Sequence, residues 1–365
     1  MEFEINKDEF LKGLQAVQNA ISQKNTLPIL ANLLLETEHD NVKLTATDLD
    51  IGISSYVASN MKEAGAITIP AKKLIDIIKE MPQENAVSIV LKKNNMITID
   101  CGKAHFKIIG LPKDEFPQIP EFKNKDNLTI QQKTLKEMLT VTSFAVSKDE
   151  TRYVLNGVLM EIEKEKITIA ATDGRRLAVS VKQLPEKTNI VKKVIIPAKT
   201  IQELQKTLND DGDVKIYFGD SQILFDLDKT KIISRLIEGE YPNYEQVIPK
   251  EKKEKIKIKR EDLLASARRA SLFVNPDSLA VKVDITKNKM IVSKSAAYIG
   301  EVRDEIGVEY AGRNISIGFN PNYIIDVLKS LDDESIYFEL EDTDKPGVIR
   351  KGNEFIYVVL PMQVT

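Results

Sequence analysis

Two histidines, one cysteine and a few closely spaced carboxylates are the residues of this chain whose types and spacing invite a chemical reading. With only His39 and His105 present, a Ser/His/Asp relay or a multi-histidine metal site has little to draw on. Cys101 and His105 stand four positions apart in DCGKAHFKI. Read as one strand, they share a face about 13 Å apart, too far for a nucleophile and its base. They are expected to be packing or edge residues. Asp48 and Asp50, joined by Asp173, could hold a divalent metal for phosphodiester cleavage, but alternating strand residues give the same spacing without function. The run NDDGDV, Asn209 to Val214, places carboxylates near a glycine without the rest of a calcium loop, and reads as a turn at a helix end. No GxxxxGK[ST] loop is present. The expectation is a chain with no catalytic residue, no metal and no cofactor.

The elements that would position such residues are repeated. KLTATDLDIGIS (Lys43 to Ser54) recurs as TIAATDGRRLAVS (Thr168 to Ser180), with Asp48 and Asp173 125 positions apart. AITIPAKKLIDIIKEM with Pro70 recurs as VIIPAKTIQELQKTL with Pro197, and again as SIGFNPNYIIDVLKSL with Asn320 and Pro321. DEFPQIP (Asp114 to Pro120) recurs within GEYPNYEQVIP (Gly239 to Pro249). Three landmarks in one order at one spacing define an internal repeat. The third copy is the most diverged, with KSAAYIGEV where the others have Thr-Asp. It therefore lacks the acid that a metal reading of Asp48 and Asp173 needs.

Each copy opens with a short strand and a helix whose apolar residues fall at helical spacing: Phe10, Leu11, Leu14, Val17 and Ile21, then Leu135, Met138, Leu139, Thr142 and Val146, then Leu263, Leu264, Ala267, Ala270 and Val274. A second helix follows each proline landmark, where a missing N–H costs nothing. The remaining segments alternate as strands, as in Met96-Ile97-Thr98-Ile99 and Val214 to Phe218. The fold class is α+β, with three copies of two helices on one face of a mostly antiparallel sheet. The polar joins EFKNKDN and PKEKKEKI place the copies at 1–123, 124–250 and 251–365. The N-terminus lacks an apolar run behind a basic patch, and no stretch approaches the roughly 20 apolar residues of a membrane span. A single cysteine excludes an intrachain disulfide and fits a reducing cytosol.

Net charge is −3, which by itself argues against a nucleic-acid partner. Its distribution reverses that argument. The six helical windows together carry +7, leaving −10 on the rest of the chain. A basic helical face opposite an acidic sheet surface is one reading, and a lysine-rich solvated face is the other. Contacts from such a face would go to phosphates, without sequence preference and with strong salt dependence.

TLPILANLLLE (Thr26 to Glu36), RYVLNGVLME (Arg152 to Glu161), ATDGRRLA (Ala171 to Ala178), EGEYPNYEQVIP (Glu238 to Pro249) and the ending YVVLPM (Tyr357 to Met362), in this three-copy order, closely resemble the bacterial replicative sliding clamp, the β subunit of DNA polymerase III. The resemblance covers essentially the whole chain. It implies three clamp domains per chain and a head-to-tail homodimeric ring, with helices lining the hole and sheets outside. It implies a cytoplasmic, nucleoid-associated processivity factor without catalysis or cofactor. The ring would slide on double-stranded DNA and tether the replicative polymerase catalytic subunit. Other implied partners are the clamp loader, translesion polymerases, mismatch repair proteins and ligase.

Carried over by position, the resemblance implies a partner-peptide pocket at Leu155, Thr172, Gly174, Arg175, Leu177, Pro242, Val247, Asn320, Tyr323, Pro346, Val358, Val359, Leu360, Pro361 and Met362. It implies DNA contact at Lys24, Lys73, Lys148, Arg152, Tyr153 and Lys199, and a dimer interface of Phe106 against Leu272 and Phe273. Arg175 stands where many relatives have histidine, and the chain ends QVT. A metal-dependent nuclease using Asp48, Asp50 and Asp173, and a monomeric protein-binding adaptor, are the alternatives from other classes.

Overall fold

The computed structural model describes every residue except 22–26, 83–85, 120–121, 123–126, 251–254, 297–299 and 365. The chain divides into two compact units. The first holds Met1–Lys133 and Gln202–Leu236, and the second Thr134–Ile201 and Ile237–Thr365.

Among the described residues, six α-helices punctuate the strands: α1 (Lys7–Val17), α2 (Ala71–Glu80), α3 (Gln132–Thr140), α4 (Ala198–Thr207), α5 (Arg260–Ser271) and α6 (Pro321–Ser330). The Asn6 side chain accepts hydrogen bonds from the Asp8 and Glu9 backbones and starts α1. Pro70 is the N-cap of α2, whereas Asn320 caps α6 and moves its proline to the first helical position. Of the apolar positions predicted for the leading helices, Phe10, Leu14, Val17, Leu135, Met138, Leu139, Leu263, Leu264, Ala267 and Ala270 are buried on α1, α3 and α5, while Leu11 is half-buried and Ile21, Val146 and Val274 lie half-buried beyond the helix ends. In α2, Leu74, Ile75, Ile77 and Ile78 all leave solvent, each contributing about 1.5–3 kcal/mol of transfer free energy.

One repeated bond escaped the sequence pattern. The first residue of each leading helix reaches the end of the second helix of its pair, or the turn after it. Lys7 Nζ donates to the Met81 carbonyl at 2.5 Å. Gln132 donates to the Asp213 carbonyl at 3.2 Å and accepts from the Asn209 backbone at 2.9 Å. Arg260 donates to the carbonyls of Leu328 and Asp333, both at 3.0 Å. Each satisfies polar groups left over where a helix stops.

Each unit contains a twelve-stranded antiparallel sheet system. In the first, the path runs Ala104–Ile109, Met96–Cys101, Ala86–Leu91, Glu2–Asn6, Ile51–Glu63, Thr230–Arg235, Gln222–Asp226, Asp213–Phe218 and Asn127–Gln131. In the second it runs Lys192–Pro197, Gly157–Glu163, Lys166–Thr172, Arg176–Gln183, Phe355–Val359, Gly347–Lys351, Ser335–Glu339, Ile256–Lys259, Gly300–Glu309, Lys289–Ala296, Val281–Thr286 and Ile315–Phe319. Both paths cross from one repeat to the next without a break. Ile53 pairs with Ile232 in the first unit, and Ala178 pairs with Tyr357 in the second.

The segment DCGKAHFKI is not one strand. It is a tight hairpin, with Cys101 opposite Ala104 and Gly102 at φ 60° in the turn. A glycine makes that left-handed conformation accessible, which period-two reading overlooks. Cys101 is buried, and His105 faces Asp100 with Nδ1 and Oδ1 2.5 Å apart.

Candidate peptide pocket and charged cleft

The Thr-Asp landmark is a turn built by its own side chains. Thr172 Oγ1 donates to the Arg176 carbonyl at 2.6 Å and accepts from the Gly174 backbone at 3.0 Å. Asp173 Oδ1 accepts from the backbones of Arg175 and Arg176 at 2.9 and 3.0 Å. Gly174 occupies φ 85°, and a Cβ there would lie 2.7 Å from the Arg152 guanidinium. The first copy repeats the design. Thr47 Oγ1 donates to the Ile51 carbonyl, and Asp48 Oδ1 accepts from the backbones of Asp50 and Ile51. Asp48 and Asp173 thus have a structural task in their hairpins, while the Asp50 carboxylate is exposed, 3.9 Å from Arg235. Among the described residues, no group of three His, Cys, Asp or Glu side chains is placed to hold a metal. The third copy's turn falls at 297–299, outside the described residues.

Arg176 is the centre of the second unit's turn, and sequence reasoning passed over it for its neighbour. Arg175 is exposed in the turn, whereas Arg176 opens the strand Arg176–Gln183 with its side chain buried. Arg176 donates to Asp173 Oδ2 at 3.1 Å, Asp326 Oδ2 at 2.7 Å and the Phe144 carbonyl at 2.7 Å. Its guanidinium carbon also lies 4.5 Å from the Tyr323 ring centre and 5.5 Å from that of Phe144. Although burial opposes the charge, the neighbouring Tyr357, Asp326 and Asp173 hold the guanidinium pKa above its ordinary value.

Two buried tyrosines complete the frame. Burial pushes the phenol of Tyr241 far up, so it stays neutral while its oxygen accepts the Thr172 N–H at 3.0 Å. Tyr357 is raised by burial as well, and donates to the Tyr323 carbonyl at 2.9 Å.

Leu155, Leu177 and Val358 sit in one buried cluster with Leu159, Tyr241 and Tyr244. Val359 is wholly buried. Thr172 and Asn320 are also buried, Asn320 as the α6 cap. Above this floor Pro242, Val247 and Leu360 are exposed, while Pro346, Pro361 and Met362 are half-buried. The Met362 N–H is anchored on the Gly318 carbonyl, and the Leu360 N–H on the Arg175 carbonyl.

A cleft of about 620 Å³ lies beside them, with Arg175, Asn320 and Tyr323 among its walls. Lys148 and Arg152, predicted to meet DNA, line the same cleft. Tyr153, Lys199 and Lys73 are exposed on the surface, and Lys24 lies outside the described residues. A larger cleft of about 1410 Å³ in the first unit is walled by none of the predicted residues. Phe106 is 37 % exposed on its strand, Leu272 is 76 % exposed, and Phe273 is half-buried.

Comparison with known proteins accounts for the repeat. Residues 1–120, 129–243 and 245–363 match the N-terminal, central and C-terminal domains of the DNA polymerase III beta subunit. The chain belongs to the DNA polymerase III beta subunit family. It is 31 % identical to the beta sliding clamp of Chlamydia pneumoniae over 364 residues, covering 100 % of this chain and 99 % of that protein. It is likewise 31 % identical to the beta sliding clamp of Pseudomonas aeruginosa, with 100 % of both chains covered. A P. aeruginosa sliding clamp solved with griselimycin superposes at a TM-score of 0.95 with 31 % identity. The Bacillus subtilis clamp superposes at 0.93 with 30 % identity, and both matches cover the whole of each chain. The protein is a three-domain sliding clamp, a non-catalytic processivity subunit of the polymerase III holoenzyme.

Proposed function

We propose that two copies of this chain close head to tail into a ring around duplex DNA. The ring slides by weak phosphate contacts and carries its polymerase by a peptide held in the second unit.

Strand pairing carries the ring. Ile51–Glu63, which follows a Thr-Asp turn, pairs along its first half with Thr230–Arg235, the last strand of the next repeat. Arg176–Gln183 does the same with Phe355–Val359. The third copy's counterpart, Gly300–Glu309, is paired on one side along its length, but on the other only at Val308 and Glu309. Ala104–Ile109, the last strand of the first copy's sheet, has a neighbour on one side only among the described residues. An open edge of this kind is a template for another chain. Joining Ala104–Ile109 of one copy to Gly300–Glu309 of another continues the rule and brings Phe106 to Leu272 and Phe273. Two such contacts, equivalent by rotation, close the dimer.

Lys24, Lys73, Lys148, Arg152, Tyr153 and Lys199 serve the DNA. They neutralise phosphates without reading bases, which permits sliding. The pocket of Leu155, Thr172, Gly174, Arg175, Leu177, Pro242, Val247, Asn320, Tyr323, Pro346 and Val358 to Met362 takes short apolar motifs. Its users are the replicative polymerase, the clamp loader, translesion polymerases, mismatch repair proteins and ligase, on the nucleoid in the cytoplasm. Tethering raises the polymerase's effective concentration at the primer end.

The decisive experiment loads the protein on closed circular DNA and then linearises it. Retention on the circle with loss from the linear form is expected, and equal retention on both would refute the ring. For the pocket, Val247→Asp or removal of Met362 and the residues after it abolishes binding of a polymerase-derived peptide while the dimer persists. Unchanged affinity would refute that assignment.

A further inference from the structure

The second helix of each pair carries an acid at its sixth residue: Asp76 in α2, Glu203 in α4 and Asp326 in α6. Two of these acids reach across to the preceding repeat. Glu203 Oε2 accepts from Asn19 Nδ2 at 2.7 Å, just beyond the end of α1. Asp326 Oδ2 accepts from Arg176 Nη1 at 2.7 Å. The donors differ in chemistry and in their place in the repeat, but the acceptor position is the same. Asp76 is exposed and has no hydrogen bond or ion pair among the described residues.

We propose that Asp76 is the third member of this set, and that its partner is Arg268 on a second copy of the chain. The proposal rests on the ring reading, in which the repeat facing α2 is the third copy of another protomer. The register of that repeat follows from the helix-tying residues Lys7 and Arg260, which begin α1 and α5. Asn19 lies twelve residues after Lys7, so its counterpart is Leu272, twelve after Arg260. Leu272 offers no polar group. Arg268 lies one turn earlier on the same helical face, four residues before it. It is exposed, and its guanidinium has no partner among the described residues. The neighbouring Arg269 is already committed to Asp304, at 3.0 Å. Arg268 is thus the available cation on the face that the repeat assigns to this acid, and its charge is of the required sign.

A charge-swap cycle tests the pairing, with the dimer dissociation constant measured by sedimentation at low salt. The ring holds two equivalent copies of the contact, so Asp76→Lys and Arg268→Glu should each weaken the dimer roughly tenfold. The double variant Asp76→Lys/Arg268→Glu should recover most of that loss, since the attraction is restored with its signs exchanged. Both positions are exposed, and an unchanged thermal midpoint for each variant at a concentration that keeps it dimeric separates a seam effect from misfolding. Single variants as tight as the parent, or a double variant no tighter than the singles, would overturn the proposal. A parent protein that is monomeric at all concentrations would instead overturn the ring reading.

Discussion

Arg176 Nη1 and Asp326 Oδ2, 150 positions apart in sequence, lie 2.7 Å from each other and tie a hairpin of the central repeat to α6 of the last. The arginine side chain is 7 % exposed, and Asp173 shares it. Removing one partner of such a group leaves carboxylates without their counter-charge. Arg176→Met should therefore cost about 2–4 kcal/mol, read as a lower urea midpoint for the transition that reports on the second unit. A midpoint within error of the parent would show that the pair contributes nothing net.

Tyr241 makes a sharper, smaller prediction. Its oxygen is the partner of the buried Thr172 N–H. Tyr241→Phe keeps the packing but leaves that donor unmet, at a cost of about 1–3 kcal/mol. The first copy has Phe116 at the matching place in its own landmark, so the loss should stay confined to the second unit. Hydrogen exchange at the Thr172 amide should accelerate in the variant, whereas exchange at Thr47 should not change.

Asp149 gives a pH dependence with a definite sign. Its carboxylate accepts from Thr151 Oγ1 at 2.7 Å and the Thr151 N–H at 3.0 Å, which lowers its pKa below the ordinary aspartate value. A depressed native pKa stabilises above the unfolded value, near 3.9, and that stabilisation is lost as pH falls through the native one. The stability gap between the parent and Asp149→Ala should be full at pH 7 and narrow steadily below about pH 4. A gap that widens on acidification would contradict the assignment.

DNA binding through phosphates predicts a salt effect rather than a sequence effect. Replacing Lys73, Lys148 and Lys199 by alanine should weaken DNA binding equally on unrelated sequences. It should also flatten the dependence of log K on log salt by about 0.9 for each phosphate that is no longer neutralised. An unchanged slope would remove these lysines from the DNA-facing set.

Much of the fold was legible because the repeat displays the same landmarks more than once, and because proline and apolar spacing mark helix starts and buried faces. What escaped was information carried by pairs distant in sequence. Arg175 and Arg176 are neighbours of identical type, and what marks Arg176 as the buried one is its contact with Asp326, far away in sequence. Lys7, Gln132 and Arg260 perform one task with an ammonium, an amide and a guanidinium, so no comparison of residue types would align them. The hairpin at Gly102 was missed because its trace in the sequence is slight, a one-residue slip in the apolar alternation from Ile97, Ile99 and Cys101 to Ala104, Phe106 and Ile108 across a single glycine.

The uninterrupted pairing of Ile53 with Ile232 and of Ala178 with Tyr357 separates the unit of duplication from the unit of cooperativity. Cut out at its own boundaries, an outer repeat would lose one partner strand, and the central repeat would lose one at each end and gain two new adhesive edges. The central repeat is the extreme case, since its strands are divided between two compact bodies. Its halves are expected to exchange amide hydrogens and unfold in step with their neighbours rather than with each other.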